Sequence, residues 1–234
     1  MSLVIAENSS KDYQIGEIII PALKDVSFII GQGAFISFVG PSGSGKTTLL
    51  NLIGCLDKPK KGKLNILDTD VTTLSQKEKA IFRGNNIGFI FQDFNLVPVL
   101  TVYENVEYPL IMVQNIPSKE RQERVLNLLD SVGMMKEKDK YPSQISGGQK
   151  QRVAIARALV IKPKLVLADE PTANLDHKTA FTVISLMKKI RDELKTTFIF
   201  STHDMKIVSE VETIYYLEDG ELKETEEGVR NAAF

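Results

Sequence analysis

At 234 residues with a net charge of -1, the chain is long enough to bury a sizeable core and too evenly charged to read as a nucleic-acid binder. About 43% of it is hydrophobic and 25% charged, an ordinary globular composition. The single cysteine, Cys55, excludes an internal disulfide framework, and no stretch approaches the roughly 18 apolar residues of a membrane span.

Met1 to Asn8 lack the charged start and apolar core of a secretory signal, so a cytosolic chain is expected. Residues 3–39 read as short strands: Leu3–Ile5, Glu17–Ile20, Val26–Ile30 and Phe35–Val39. Gly31-Gln32-Gly33 is read as a hairpin turn between the last two, and Tyr13 falls in a polar segment between strands. The run Gly40-Pro41-Ser42-Gly43-Ser44-Gly45-Lys46-Thr47-Thr48 comes next, followed by a helical pattern up to Ile53. Strand, glycine-rich loop and helix in that order is the setting of a phosphate-binding loop. Glycines let several N–H groups bend round one anion, and the helix N-terminus adds positive potential. Lys46 is placed to reach the β- and γ-phosphates, and the Thr47 hydroxyl to ligate Mg²⁺.

A turn-rich stretch from Asp57 to Gly62 leads to a predicted strand at Lys63–Leu67 and a helix at Ser75–Phe82. The basic run 58–63 reads as a solvated loop. Ile87–Phe91 is a second buried-type strand, ending at Gln92. Val102, Val106, Leu110 and Val113 then share one side of a helix capped by Thr101, which Pro109 is expected to kink or shift. Pro117-Ser118 opens another helix, with Val125, Leu128, Leu129 and Val132 on its apolar face and Gly133 as its stop. Met134–Lys140 is a short turn before Tyr141-Pro142, so residues 97–150 form a helical insertion in an α/β frame.

The frame resumes with a helix to Leu159, a strand at Lys164–Ala168, a helix at Lys178–Leu194 and a strand at Thr197–Ser201. A short helix follows Asp204, and Thr213–Leu217 pairs with Glu221–Lys223 across Asp219-Gly220. From Glu224 the acidic tail reads as mobile. Alternating strands and helices imply a mainly parallel sheet with helices on its faces.

Ligands gather at the carboxyl ends of parallel strands. Asp169 and Glu170 close one apolar strand there, the first suited to holding Mg²⁺ and the second to orienting the attacking water. His203 stands at the end of another, within reach of a γ-phosphate. Ser146-Gly147-Gly148-Gln149 opens a helix and makes a second anion-binding end. One triphosphate does not need two such ends unless the second serves another copy.

Ile145 to Gln149, together with the phosphate loop and Leu165–Glu170, resembles the ATP-binding cassette (ABC) ATPases, with the motifs in that family's order along essentially the whole chain. Ile145 stands where the family has leucine. The resemblance implies one ABC ATPase domain, with a P-loop NTPase core (1–96 and 151–234), an N-terminal antiparallel β subdomain and a helical subdomain at 97–150. It implies that Tyr13 stacks on adenine, that Gln92 touches Mg²⁺, and that Asn174-Leu175-Asp176 crosses between two cassettes. Gly40 to Thr48 of one copy and Ser146 to Gln149 of the other would then clamp ATP in a homodimer. Phe89 to Pro98 and Thr101 to Pro109 are similar to the branch containing the macrolide exporter MacB, the lipoprotein-release ATPase LolD and the cell-division ATPase FtsE. That branch works with FtsX-like permeases, so a separately encoded integral-membrane permease and a peripheral position on the cytoplasmic face of the inner membrane are expected. The alternative, a soluble cassette acting on DNA or ribosomes, is disfavoured: prolines break residues 97–150 where a coiled coil would run, and there is one cassette rather than two.

Overall fold

The computed structural model describes residues 1–227. Strands β1 (Ser2–Ile15) and β2 (Ile18–Gly31) form one long antiparallel hairpin, paired from Ser2↔Gly31 to Ile15↔Ile18 with shifts of register between Ser2 and Asp12. Val4, Ala6, Val26, Phe28 and Ile30 are buried near its base, but from Tyr13 to Ile20 both strands stand in solvent. Alternation in sequence requires one buried face. The outer half has none, which is why only fragments of these strands are legible and why Tyr13 proves to be a strand residue opposite Ile20. The Gly31–Gly33 turn is likewise not a hairpin. It carries the chain out of β2 into β3 (Phe35–Val39), which pairs with other strands and is buried on both faces.

After β3 come α1 (Lys46–Ile53), β4 (Lys61–Ile66), β5 (Thr69–Asp70), α2 (Gln76–Asn86), β6 (Ile87–Ile90), α3 (Val102–Pro109) and α4 (Ser118–Ser131). Then follow α5 (Gly147–Leu159), β7 (Leu165–Asp169), α6 (His177–Leu194), β8 (Thr197–Thr202), α7 (Met205–Val208), β9 (Thr213–Glu218) and β10 (Glu221–Glu227). The chain divides into two compact units, Met1–Ala80 with the segment from Thr197 onward, and Ile81–Thr196.

The first unit holds an antiparallel sheet of order β2-β1-β4-β5, the expected N-terminal β layer. Its other sheet has β3 parallel to both β8 and β9, with β10 antiparallel to β9. Asp219 and Gly220 turn that last hairpin at φ 48° and 79°, the two positive values a tight primed turn demands. Residues 224–227, expected in a loose tail, pair with β9 down to Glu227↔Thr213; the remainder of that tail lies outside the described residues. Phe28 of β2, Phe38 of β3 and Tyr215 of β9 join the two sheets, with ring centroids 5.4, 5.9 and 5.3 Å apart. Such pairs add about 0.5–1.5 kcal/mol each beyond their buried area. The Tyr215 hydroxyl donates to the Ile29 carbonyl at 3.1 Å.

In the second unit β6 and β7 run parallel, and α5 lies so close on β6 that a Cβ on Gly88 would stand 2.4 Å from the Ala158 carbonyl oxygen. Helices α3, α4 and α6 pack against α5, burying Val102, Val106, Val125, Leu129 and Val183. Thr101 and Glu104 close the start of α3 as a reciprocal capping box. Pro109 does not end the helix; from Leu110 to Gln114 the coil widens into a π-helical turn, a way of absorbing the missing donor. Gly133, at φ 68°, stops α4 as its position predicts. Among the described residues no helix is long and apolar enough to cross a membrane.

Candidate active site

The first unit carries the loop Gly40–Gly45 between β3 and α1. Two of its glycines are required by close approach: a Cβ on Gly40 would fall 2.0 Å from the Leu217 carbonyl oxygen, and one on Gly45, at φ 105°, 2.5 Å from that of Ala22. The turn between β9 and β10 anchors the loop, with Gly220 N–H donating to the Ser44 carbonyl at 3.0 Å. Helix α1 begins on Gly45 with no side-chain cap and no acidic residue in its first turn, so its N-terminal donors face an anion-ready space. Lys46 is 7% exposed and folds back to donate from Nζ to the carbonyls of Gly40 (2.7 Å) and Pro41 (2.9 Å). Ser44 Oγ is buried with no hydrogen-bond partner among the described residues. A buried orphan hydroxyl is costly, and a phosphate oxygen is the partner this cradle fits. Ser42, Gly43 and Thr47 are exposed, and Thr48 is partly so.

Strands β3 and β8 pair in parallel with Val39 opposite Thr202. The phosphate loop and His203 therefore leave neighbouring strands at the same level, as a carboxyl-end site requires. In the antiparallel sheet, Tyr13 is held by a small charged network. Its hydroxyl donates to Asp57 Oδ2 at 3.3 Å, and Lys11 Nζ lies 5.1 Å from the ring centroid while bonding Asp57 Oδ1 at 2.6 Å. Burial pushes the Asp57 carboxyl up, but hydrogen bonds from Lys11, the Lys58 N–H and Tyr13 outweigh it and hold the group below its ordinary value.

The second unit brings the other motifs together. β6 and β7 are in register at Ile90↔Ala168, so Gln92 and the pair Asp169–Glu170 emerge from adjacent strand ends. Glu170 adopts φ 47°, a left-handed conformation that costs a non-glycine residue about 1–3 kcal/mol and recurs where a side chain must be aimed. Asn174 Nδ2 donates to the Gln92 carbonyl at 3.0 Å and to Asp93 Oδ1 at 3.2 Å. At the start of α5, Ser146 Oγ accepts from Gln149 N–H at 3.3 Å, and the Gln149 side chain reaches back to Ser146 N–H at 2.9 Å. Beside it, Asp176 caps α6 by accepting from Thr179 N–H (3.1 Å) and Thr179 Oγ1 (2.6 Å), and the two bonds hold its carboxyl below the ordinary value. Ser146, Gly147, Gly148, Asn174, Asp176 and Thr179 thus line one open groove.

Three features escaped the sequence reading. Asn105 is buried in α3 and fastens the approach to that helix, accepting from Val97 N–H and donating to the carbonyls of Val97, Leu100 and Thr101. The bracing of Tyr13 by Lys11 and Asp57 joins residues 46 positions apart, beyond any local pattern. Arg157, an isolated charge in the apolar run Val153–Leu159, was the legible signal among them.

A family model described as ABC transporter matches residues 23–173. The chain is 45% identical over 227 residues to an ABC transporter ATP-binding protein of Methanocaldococcus jannaschii, covering 96% of this chain and 97% of that one. It is 41% identical to the lipoprotein-releasing system ATP-binding protein LolD of Pseudoalteromonas translucida, covering 94% of each. It is 43% identical to the macrolide export ATP-binding/permease protein MacB of Rhodopirellula baltica, matching 90% of this chain but 31% of that longer protein. The fold is similar, at a TM-score of 0.89 over 96% of this chain and 98% of the other, to the dimeric structure of the M. jannaschii cassette in a post-hydrolysis state bound to ADP and Pi.

Proposed function

Because the chain belongs to the ABC transporter family and is an ATP-hydrolysing subunit of it, we propose that two copies close head to tail around two ATP molecules and that closure drives a separate FtsX-like permease. The observation that carries this reading is the phosphate cradle: glycines that admit no Cβ, an uncapped helix start, a buried lysine and an orphan hydroxyl. Support for pairing comes from the M. jannaschii cassette, which is a dimer in its ADP- and Pi-bound structure. Support for the permease comes from MacB, named an ATP-binding/permease protein, and from LolD, part of a lipoprotein-releasing system. On this reading the chain sits peripherally on the cytoplasmic face of the membrane.

Tyr13 stacks on the adenine, while the loop from Gly40 to Thr48, through the N–H groups of its residues other than Pro41, and the Lys46 ammonium hold the phosphates. Thr47, Gln92 and Asp169 offer hydroxyl, amide and carboxylate oxygens, the hard donor set that Mg²⁺ takes. When bound, that ion neutralises charge on the phosphates. Glu170 orients a water and takes its proton as the oxygen attacks the γ-phosphorus, and the bond to the ADP oxygen breaks. Lys46 and His203 stabilise the charge on the transferring group. Ser146 to Gln149 and Asp176 of each copy complete the site of the other.

Glu170→Gln keeps the side chain's shape and removes its basicity. General-base catalysis supplies about 10²–10⁴-fold, so turnover should fall by that order while ATP gathers a stable dimer visible by sedimentation. Steady-state hydrolysis at the parental rate would remove Glu170 from this role. A chain that stays monomeric with saturating ATP would sink the pairing itself.

A further inference from the structure

Arg157 lies in the last turn of α5 among alanines and leucines, yet its guanidinium points to the loop after Gln92. Nη2 donates to the Phe94 carbonyl at 2.7 Å and Nη1 to the Asn95 carbonyl. Both acceptor residues have left-handed backbone, φ 61° and 48°, which asparagine tolerates but a phenylalanine keeps only when its surroundings hold it there. Asn174 secures the preceding two residues, Gln92 and Asp93, so the whole loop is fastened. The Phe94 ring also reaches the far end of the same helix, to 4.0 Å from where a Gly147 Cβ would stand. Burial lowers the guanidinium's pKa from its ordinary value, as befits a charge facing carbonyls rather than water.

We propose that Arg157 is a positioning residue that locks the Gln92 loop to α5, so that a displacement of Gln92 by bound ATP is carried along the helix to Ser146, Gly147 and Gly148. For the roles of Gln92 and Ser146 the inference rests on the clamp described above. Helix α5 suits the task. It is closed at its start by the reciprocal Ser146–Gln149 cap, and its rise puts Gly147 and Arg157 about 15 Å apart along the axis. A planar fork with two donors on two successive carbonyls fixes both distance and rotation, which a lysine ammonium cannot do.

The test uses the full chain in the Glu170→Gln background, alone and combined with Arg157→Lys, Arg157→Gln or Asn174→Ala. Two quantities are measured: the ATP concentration giving half-maximal dimer by sedimentation, and the affinity of the dilute monomer for a fluorescent ADP. Arg157→Lys should raise the dimerising ATP concentration about tenfold, within the usual range of coupling between sites, and Arg157→Gln at least as much. Monomer ADP affinity should hold within about twofold, since the phosphate loop is untouched. Arg157 variants that melt with the parent and dimerise at the parental ATP concentration overturn the proposal, as do variants whose ADP affinity falls in step. Asn174 is exposed, so its truncation leaves the core intact. Should both Arg157 variants fail to fold, the guanidinium is a fold contact rather than a positioning group and the proposal falls whatever Asn174→Ala does, since that residue also lies in the loop that crosses to the other copy. If the Glu170→Gln parent never pairs on ATP, the clamp reading falls first and this inference with it.

Discussion

Gly148→Ala offers a quantitative probe of the groove between α5 and α6. The added Cβ would lie 2.5 Å from Thr179 Cγ2, whereas ordinary contact begins at 3.4 Å, so one side must yield by about 0.9 Å. Thr179 cannot rotate away cheaply, because its Oγ1 and N–H are both bonded to the Asp176 carboxylate. Overpacking of this size costs about 1–3 kcal/mol, against a total stability of about 5–15 kcal/mol, and the variant should fold with a lowered melting temperature. The chemical consequence is larger: a shift near 1 Å in a group that positions reacting atoms costs about 100-fold in rate. Steady-state phosphate release should therefore drop about 100-fold while calorimetric ATP binding to the phosphate loop stays within about twofold. Removing only the offending methyl with Thr179→Ser leaves the next atom at 3.8 Å and keeps the cap, so the double variant should recover most of the loss. Full activity in Gly148→Ala alone, or no recovery in the double variant, would show that this contact does not govern the geometry of the groove.

Thr101→Ala removes half of the capping box on α3 and should cost about 1 kcal/mol, read as a lower melting temperature with unchanged nucleotide affinity. The Lys11–Asp57 pair makes a pH-dependent contribution whose sign follows from the lowered Asp57 pKa: it is present above the ordinary carboxylate range and fades as pH falls through the folded-state value. Lys11→Met should accordingly lower the melting temperature more at pH 7 than at pH 3, and an equal loss at both would exclude the ion pair as the cause.

What was legible in the sequence follows from how local each requirement is. The phosphate loop demands glycine, lysine and threonine at fixed offsets between a strand and a helix, and those demands sit within a dozen residues. Buried helices announce themselves through period, as Val102, Val106 and Leu110 did. The β1–β2 hairpin did not, because Ile15, Ile18, Ile19 and Ile20 are apolar without being buried and so carry no alternating face. Nor could the destination of the Gly31–Gly33 turn be read locally, since it depends on which strands claim β3. Glu170 was legible as an acidic residue at a strand end, but not its left-handed backbone, which nothing short of the packed structure imposes. Arg157 passed unnoticed although it stands as a lone charge in an apolar run, and its partners 62 and 63 residues upstream lie beyond any local pattern.

The resting place of the Lys46 ammonium on its own loop has a thermodynamic consequence. By occupying the carbonyls of Gly40 and Pro41, the cation holds the bend open before any ligand arrives. Much of the ordering entropy that an induced-fit pocket would lose at the moment of capture is thus lost earlier, when the chain first folds. The encounter then becomes an exchange of one set of oxygens for another round a pre-set cation.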